Sequence, residues 1–182
     1  MLQFPTIPSW DALHPLIIHF PIALLLIAPI FIVAGAVLSP AKGRSYLIAA
    51  LVLLLVGTAS IFVAVETGEA AGKLAERTPG MARVLETHES LAERTQAVFS
   101  VLSVIFLALL AVPWSLKRAD TRLTTTILPL AFLVLYSAGA LLLVNTAHNG
   151  GRLVHEFGVR ALVTSTPANA EAAVPTERPD MD

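Results

Sequence analysis

Five histidines are the residues of this 182-residue chain best suited to chemistry, and no cysteine accompanies them. Without cysteine there are no disulfides, thiolate metal sites, iron–sulfur clusters or covalent c-type haem, so imidazole is the chief candidate ligand. His14 and His19 lie in the stretch His14-Pro15-Leu16-Ile17-Ile18-His19-Phe20-Pro21, at the lip of a long apolar run. Pro15 suits the first position of a helix, which puts His14 at the cap and His19 about 7 Å deeper, at ~1.5 Å per residue. Pro21 removes a backbone donor near that level and leaves the carbonyl of Ile17 in need of another partner. His88 falls on an apolar helical face with Val84, Leu85, Leu91, Ala92, Thr95 and Phe99, while Glu86, Glu89 and Glu93 fall on the opposite side. His148 and His155 follow the last apolar run.

Two imidazoles on facing helices can hold a haem iron from both sides, leaving no open coordination position, so such a centre transfers electrons. Closer together, the same histidines suit copper or zinc, with Glu66, Glu69, Glu89 and Glu156 available to complete a shell. Arg94 and Arg152, at about the same level, can pair with haem propionates. Plainer roles stand beside these. His14 can simply cap its helix, His148 and His155 can contact headgroups, the glutamates can form a solvated face, and the two arginines can pair with neighbouring carboxylates. No nucleophile–base pair, HExxH or phosphate loop is present, since His88-Glu89 lacks a second zincin histidine.

The elements that must position these residues are membrane helices. The chain is 55% hydrophobic and only 14% charged, where a soluble domain carries about 25% charge. Apolar runs predict spans at about 15–38, 46–65, 97–114 and 123–147, within a single membrane domain over 1–163. The expected fold is all-α, an up-down-up-down four-helix bundle. Pro40 and Gly43 predict a tight turn, Thr78-Pro79-Gly80 a break between helical extensions, and Asn149-Gly150-Gly151 the end of the fourth helix, after which 152–159 turns back onto the bundle. Residues 164–182, rich in Pro, Ala and Glu, are expected to be disordered. No internal repeat is evident. Trp10 suits an interfacial anchor, and the first apolar run is too long for a cleavable signal.

Lys42, Arg44, Lys117, Arg118 and Arg122 crowd the connectors after the first and third spans, against the single acid Asp120. The positive-inside rule then puts both termini outside and gathers all five histidines at the outer face. A net charge of −1 with no basic patch argues against a nucleic-acid partner.

The opening HPLIIHFPIALLL, His88 near the third span, and the segment GGRLVHEFGV after the fourth resemble the bacterial "domain of unknown function 2231" membrane family, over about residues 10–160. The resemblance implies a small four-helix domain of the bacterial inner membrane, suspected of binding b-type haem and found beside redox modules such as Rieske or cytochrome c domains. His14, His19, His88 and the GGRLVHEFGV segment, with His155, carry over by motif; His148 does not. Residues and resemblance together give a multi-pass electron-transfer subunit binding haem b near the periplasmic surface. The expected ligands are His19 and His88 or another pair from the five, with His14 and His155 as a second pair if there are two haems. Its partners would be membrane lipid and other subunits of a redox or photosynthetic-type complex. A structural or assembly subunit without haem, and a copper- or zinc-binding membrane protein, are the alternatives.

Overall fold

A computed structural model describes residues 7–160 apart from 76 and 118, and every regular element among them is helical. A short 3-10 turn, Trp10–Ala12, leads into four helices long and apolar enough to cross a membrane. These are α1 (His14–Val37), α2 (Pro40–Leu74), α3 (Pro79–Ser115) and α4 (Leu123–His155). The tail expected to be disordered lies outside the described residues, from 161 on.

The helices pack in cyclic order. α1 touches α2 and α4, and α3 touches α2 and α4, so α1 and α3 face each other across the diagonal. Leu25, Ile32, Leu47, Leu54, Phe99, Phe106, Phe132 and Tyr136 fill the axis. Val52, Val101, Val134 and Leu141 are exposed on the outside. In water this outer surface would be far too apolar, whereas lipid solvates it. At 35 and 37 residues, α2 and α3 run about 52 and 55 Å, well beyond the ~30 Å hydrocarbon core. The expected spans at 46–65 and 97–114 thus fall within longer helices, and the charged stretch between them is helical up to Leu74 and again from Pro79.

Prolines shape the helices. Pro40 and Pro79 each open a helix, where a missing N–H costs nothing. The expected turn at Pro40–Gly43 is thus displaced to Leu38 and Ser39, and Gly43 lies inside α2 with its Cα face against the carbonyl of Gly35. Interior prolines orphan the carbonyl four residues back. Pro21 does so at Ile17, and α1 loses its regular pattern beside it, at Ile18. Pro29 does so at Leu25, whose carbonyl instead accepts a 2.6 Å hydrogen bond from the buried Tyr136 hydroxyl of α4. Pro129 follows the π-helical turn Leu123–Ile127, where Thr126 donates to the Ala36 carbonyl of α1 at 3.0 Å. Deeper in the bundle the buried hydroxyls of Thr58 (α2) and Ser103 (α3) pair at 2.9 Å.

The fourth helix does not end at Asn149-Gly150-Gly151. It continues to His155, and the chain turns only at Gly158, whose φ of +67° supplies the left-handed residue that closes a helix. Gly150 and Gly151 keep right-handed geometry, so they extend α4. Arg152 and Glu156 are consequently one turn apart on a helix and form a bidentate pair at 2.9 and 3.0 Å. At the opposite end of the bundle, Arg44 at the start of α2 bonds Asp120 in the α3–α4 connection at 3.0 Å.

Candidate functional site

His14 is the first residue of α1, and His88 lies ten residues into α3. Their backbones do not approach closely, yet the two imidazoles meet across the bundle diagonal. The ring centroids are 6.4 Å apart and the planes stand at 80°. Both rings are half-buried. The pair lies at the end of the bundle where α1 begins.

Each ring is oriented by the helix next to its own. His14 Nδ1 lies 2.9 Å from the carbonyl oxygen of Ala64 on α2. His88 Nδ1 lies 2.9 Å from the carbonyl oxygen of Thr146 on α4. A carbonyl oxygen only accepts, so Nδ1 carries the proton in both rings, and Nε2 of a neutral imidazole is left with its lone pair. That is the tautomer in which histidine ligates a metal through Nε2, with the second-shell bond on the other nitrogen that ligating histidines usually have. Hydroxyls brace both acceptors. Thr67 donates to the carbonyls of Val63 and Ala64 at 2.8 and 3.1 Å, and its oxygen lies 3.4 Å from His14 Nδ1. Thr146 pairs with Thr95 of α3 at 2.8 Å, both side chains being buried.

His88 is therefore on the packing face, as its spacing predicts. The pairing within the histidine set differs from the expected one. His19, expected opposite His88, is exposed. Five residues turn a helix by about 140°, so a ring at 14 that faces the axis sends one at 19 outward. His155, expected to pair with His14, is exposed in the last turn of α4, and His148 is exposed as well. Arg94 is exposed beside an open depression of about 290 Å³ with Glu86, Thr87, Ser90 and Leu91. Arg152 is held by Glu156, whose carboxyl sits below its usual range because the guanidinium bonds it. Of the glutamates on the expected solvent face, Glu86 and Glu93 are exposed, but Glu89 is half-buried beside Gly72 of α2. Among the described residues no group of three or more His, Cys, Asp or Glu converges as a metal site.

Two glycines contribute to this site, and sequence reasoning missed one of them and misassigned the other. A Cβ on Gly68 of α2 would lie 2.9 Å from His14 Cε1, and one on Gly150 of α4 would lie 2.9 Å from His88 Cε1. Gly150 reads as a helix end in the sequence because glycine there is ambiguous between a stop and a close approach.

No curated protein and no solved structure matches the chain. A family model described as "Predicted membrane protein (DUF2231)" matches residues 10–162, a stretch that includes all four helices and both histidines of the pair. With that match over most of its length, the chain belongs to the DUF2231 family of predicted membrane proteins.

Proposed function

We propose that the protein is a membrane electron carrier in which His14 and His88 would hold the iron of one b-type haem. The observation that supports this reading is the approach of the two rings. With a metal–imidazole bond of about 2.0–2.1 Å and ~1.1 Å from ring nitrogen to ring centre, two imidazoles that share one metal ion have centroids at most about 6.3 Å apart. The observed separation is 6.4 Å, with rings near perpendicular. The donor set fits as well. A bare zinc ion wants three or four protein ligands, whereas a porphyrin supplies the four equatorial nitrogens and needs two. His14 and His88 are two, and among the described residues no third ligand joins them.

Bound there, the haem would supply one-electron transfer with no open coordination position. The chain's own residues do the rest. The carbonyls of Ala64 and Thr146 keep each ring neutral at Nε2 and fix its plane, raising the basicity of the ligating nitrogen. The apolar side chains of the axis keep the surroundings at low dielectric, which raises the energetic cost of net charge at the centre. Arg94 is exposed and free of the Arg152–Glu156 pair, which makes it the better of the two arginines for a propionate. A carrier needs a donor and an acceptor, so the reading implies redox partners in or on the membrane. The basic residues Lys42, Arg44, Lys117 and Arg122 at the opposite end support a periplasmic position for the histidine end, in the bacterial inner membrane.

The test is a reduced-minus-oxidised spectrum of detergent-purified protein expressed with ample haem, with a pyridine haemochrome assay for stoichiometry. A sharp b-type α-band at one haem per chain is expected. A flat spectrum overturns the reading, and metal analysis of the same sample then separates a copper or zinc site from a purely structural imidazole pair.

A further inference from the structure

We propose that Gly68 and Gly150 are positioning residues that set the tautomer of the two imidazoles, and that they do so as matching halves of a two-hairpin design. The inference starts from the reading of His14 and His88 as a ligand pair but concerns the rings themselves.

The chain has ten glycines, and just two of them face an imidazole, one for each ring of the pair. The others meet aliphatic side chains, a carboxylate, Phe157, backbone or open space. The position of the two is the same in both cases. Gly68 is four residues after Ala64, whose carbonyl receives His14 Nδ1–H. Gly150 is four residues after Thr146, whose carbonyl receives His88 Nδ1–H. Residues four apart lie one above the other on a helix, so the carbonyl of the first points toward the Cα of the second. An incoming imidazole that bonds the carbonyl must therefore lay its Cε1–H edge over the residue one turn on. The contacts agree: the nearest atom to each virtual Cβ is Cε1, at 2.9 Å, with Nδ1 next at 3.1 Å for His14 and 3.4 Å for His88. A Cβ at 68 or 150 would crowd Cε1, and the ring, as the mobile end of its side chain, is what must give way.

The same arrangement thus occurs twice, with no repeat visible in the sequence. In the α1–α2 hairpin, His14 of the first helix docks on the Ala64/Gly68 turn of the second. In the α3–α4 hairpin, His88 of the first helix docks on the Thr146/Gly150 turn of the second. An alanine would shift the ring, stretch the Nδ1–H bond to the carbonyl, and weaken the preference for the proton on Nδ1 over Nε2, the nitrogen a metal needs unprotonated.

The decisive experiment is two-bond ¹H–¹⁵N correlation of histidine-labelled full-length protein, without haem, in detergent micelles. Wild-type protein is expected to show the Nδ1–H tautomer for His14 and His88. Gly68→Ala is expected to shift His14 toward the Nε2–H form and leave His88 unchanged, and Gly150→Ala to do the reverse. Gly151→Ala, whose added Cβ meets nothing within 4 Å, is expected to change neither ring. Nε2–H in either wild-type ring overturns the proposal even if an alanine variant fails to fold. So does an alanine at 68 or 150 that leaves its ring's tautomer intact. Nδ1–H tautomers in a protein that never takes up haem would sink the haem reading while leaving the glycine assignment standing; a haem protein with Nε2–H rings in its haem-free form would do the opposite.

Discussion

His14 and His88 face each other across the diagonal of the bundle, 6.4 Å between ring centres, on two helices that never pack together. Only side chains long enough to reach the axis can meet this way, and each ring is held there by the helix beside it. The functional reading follows from that relationship, and so do the consequences of removing either partner.

On the proposed haem reading, substituting His14 or His88 by alanine is expected to abolish the b-type α-band, whereas His19→Ala, at an exposed position, leaves it unchanged. Spectra of the purified variants at matched haem loading decide between this assignment and a His19–His88 pair. Loss of the α-band in His19→Ala with retention in His14→Ala would reverse it.

Tyr136 and Pro29 form a second coupled pair. Tyr136→Phe leaves the Leu25 carbonyl without its 2.6 Å donor in an apolar core, at an expected cost of about 1–3 kcal/mol. Pro29→Ala restores an N–H of α1 to the same carbonyl. The tyrosine substitution should therefore cost less in the alanine background, a non-additivity that a double-mutant cycle in detergent or bicelles measures. Additive effects would mean that the hydroxyl does not compensate for the proline.

The Thr58–Ser103 pair is buried between α2 and α3. Thr58→Val orphans the serine hydroxyl at a cost on the order of 1 kcal/mol, since interhelical hydrogen bonds in membranes average about 0.6 and reach ~2. Adding Ser103→Ala removes the orphan and is expected to recover part of the loss. Equal stability of the single and double variants in a denaturation series counts against the pair.

Acid should loosen the end of α4 before the rest of the helix. The Glu156 carboxyl is held below the ordinary glutamate range by its hydrogen bond to Arg152. A carboxyl with a depressed folded-state pKa contributes stability above about 4.5 and loses it as pH falls through the folded value. Protection of the amides at residues 152–158, taken relative to their intrinsic exchange rates, is expected to fall as the carboxyl is protonated in wild-type protein, and Glu156→Gln should show the lower protection already at neutral pH. The pair is exposed, so the effect stays local.

Much of this architecture was legible in the chain. Runs of apolar residues long enough to cross lipid leave little alternative to helices, because only a helix or closed barrel satisfies its own backbone there. The packing face of His88 was legible for a related reason: Val84, Leu85, Leu91 and Thr95 repeat at helical spacing around it. The helical extensions of α2 and α3 beyond the apolar runs, with a break next to Thr78-Pro79-Gly80, were legible too, because helices leave the membrane without any break in backbone bonding, so the charges at Glu66 and Glu93 end the apolar run and not the helix. Two features were not. Gly150 looked like a stop because composition cannot tell a left-handed glycine from one that admits a ring. The ring that meets His88 could not be read, because spacing fixes angles within one helix and says nothing about which of two rings on α1 reaches the axis.

Every atom that orients His14 belongs to the first hairpin, and every atom that orients His88 belongs to the second. Each hairpin is a finished half-site, and the pair itself belongs to the seam between them. A ligand taken up by both rings would be bound by the assembled chain and not by either half alone, so by linkage it would clamp the hairpins together. Its loss would then loosen the seam while both hairpins persist, and occupancy would report on how the two halves of the molecule are joined.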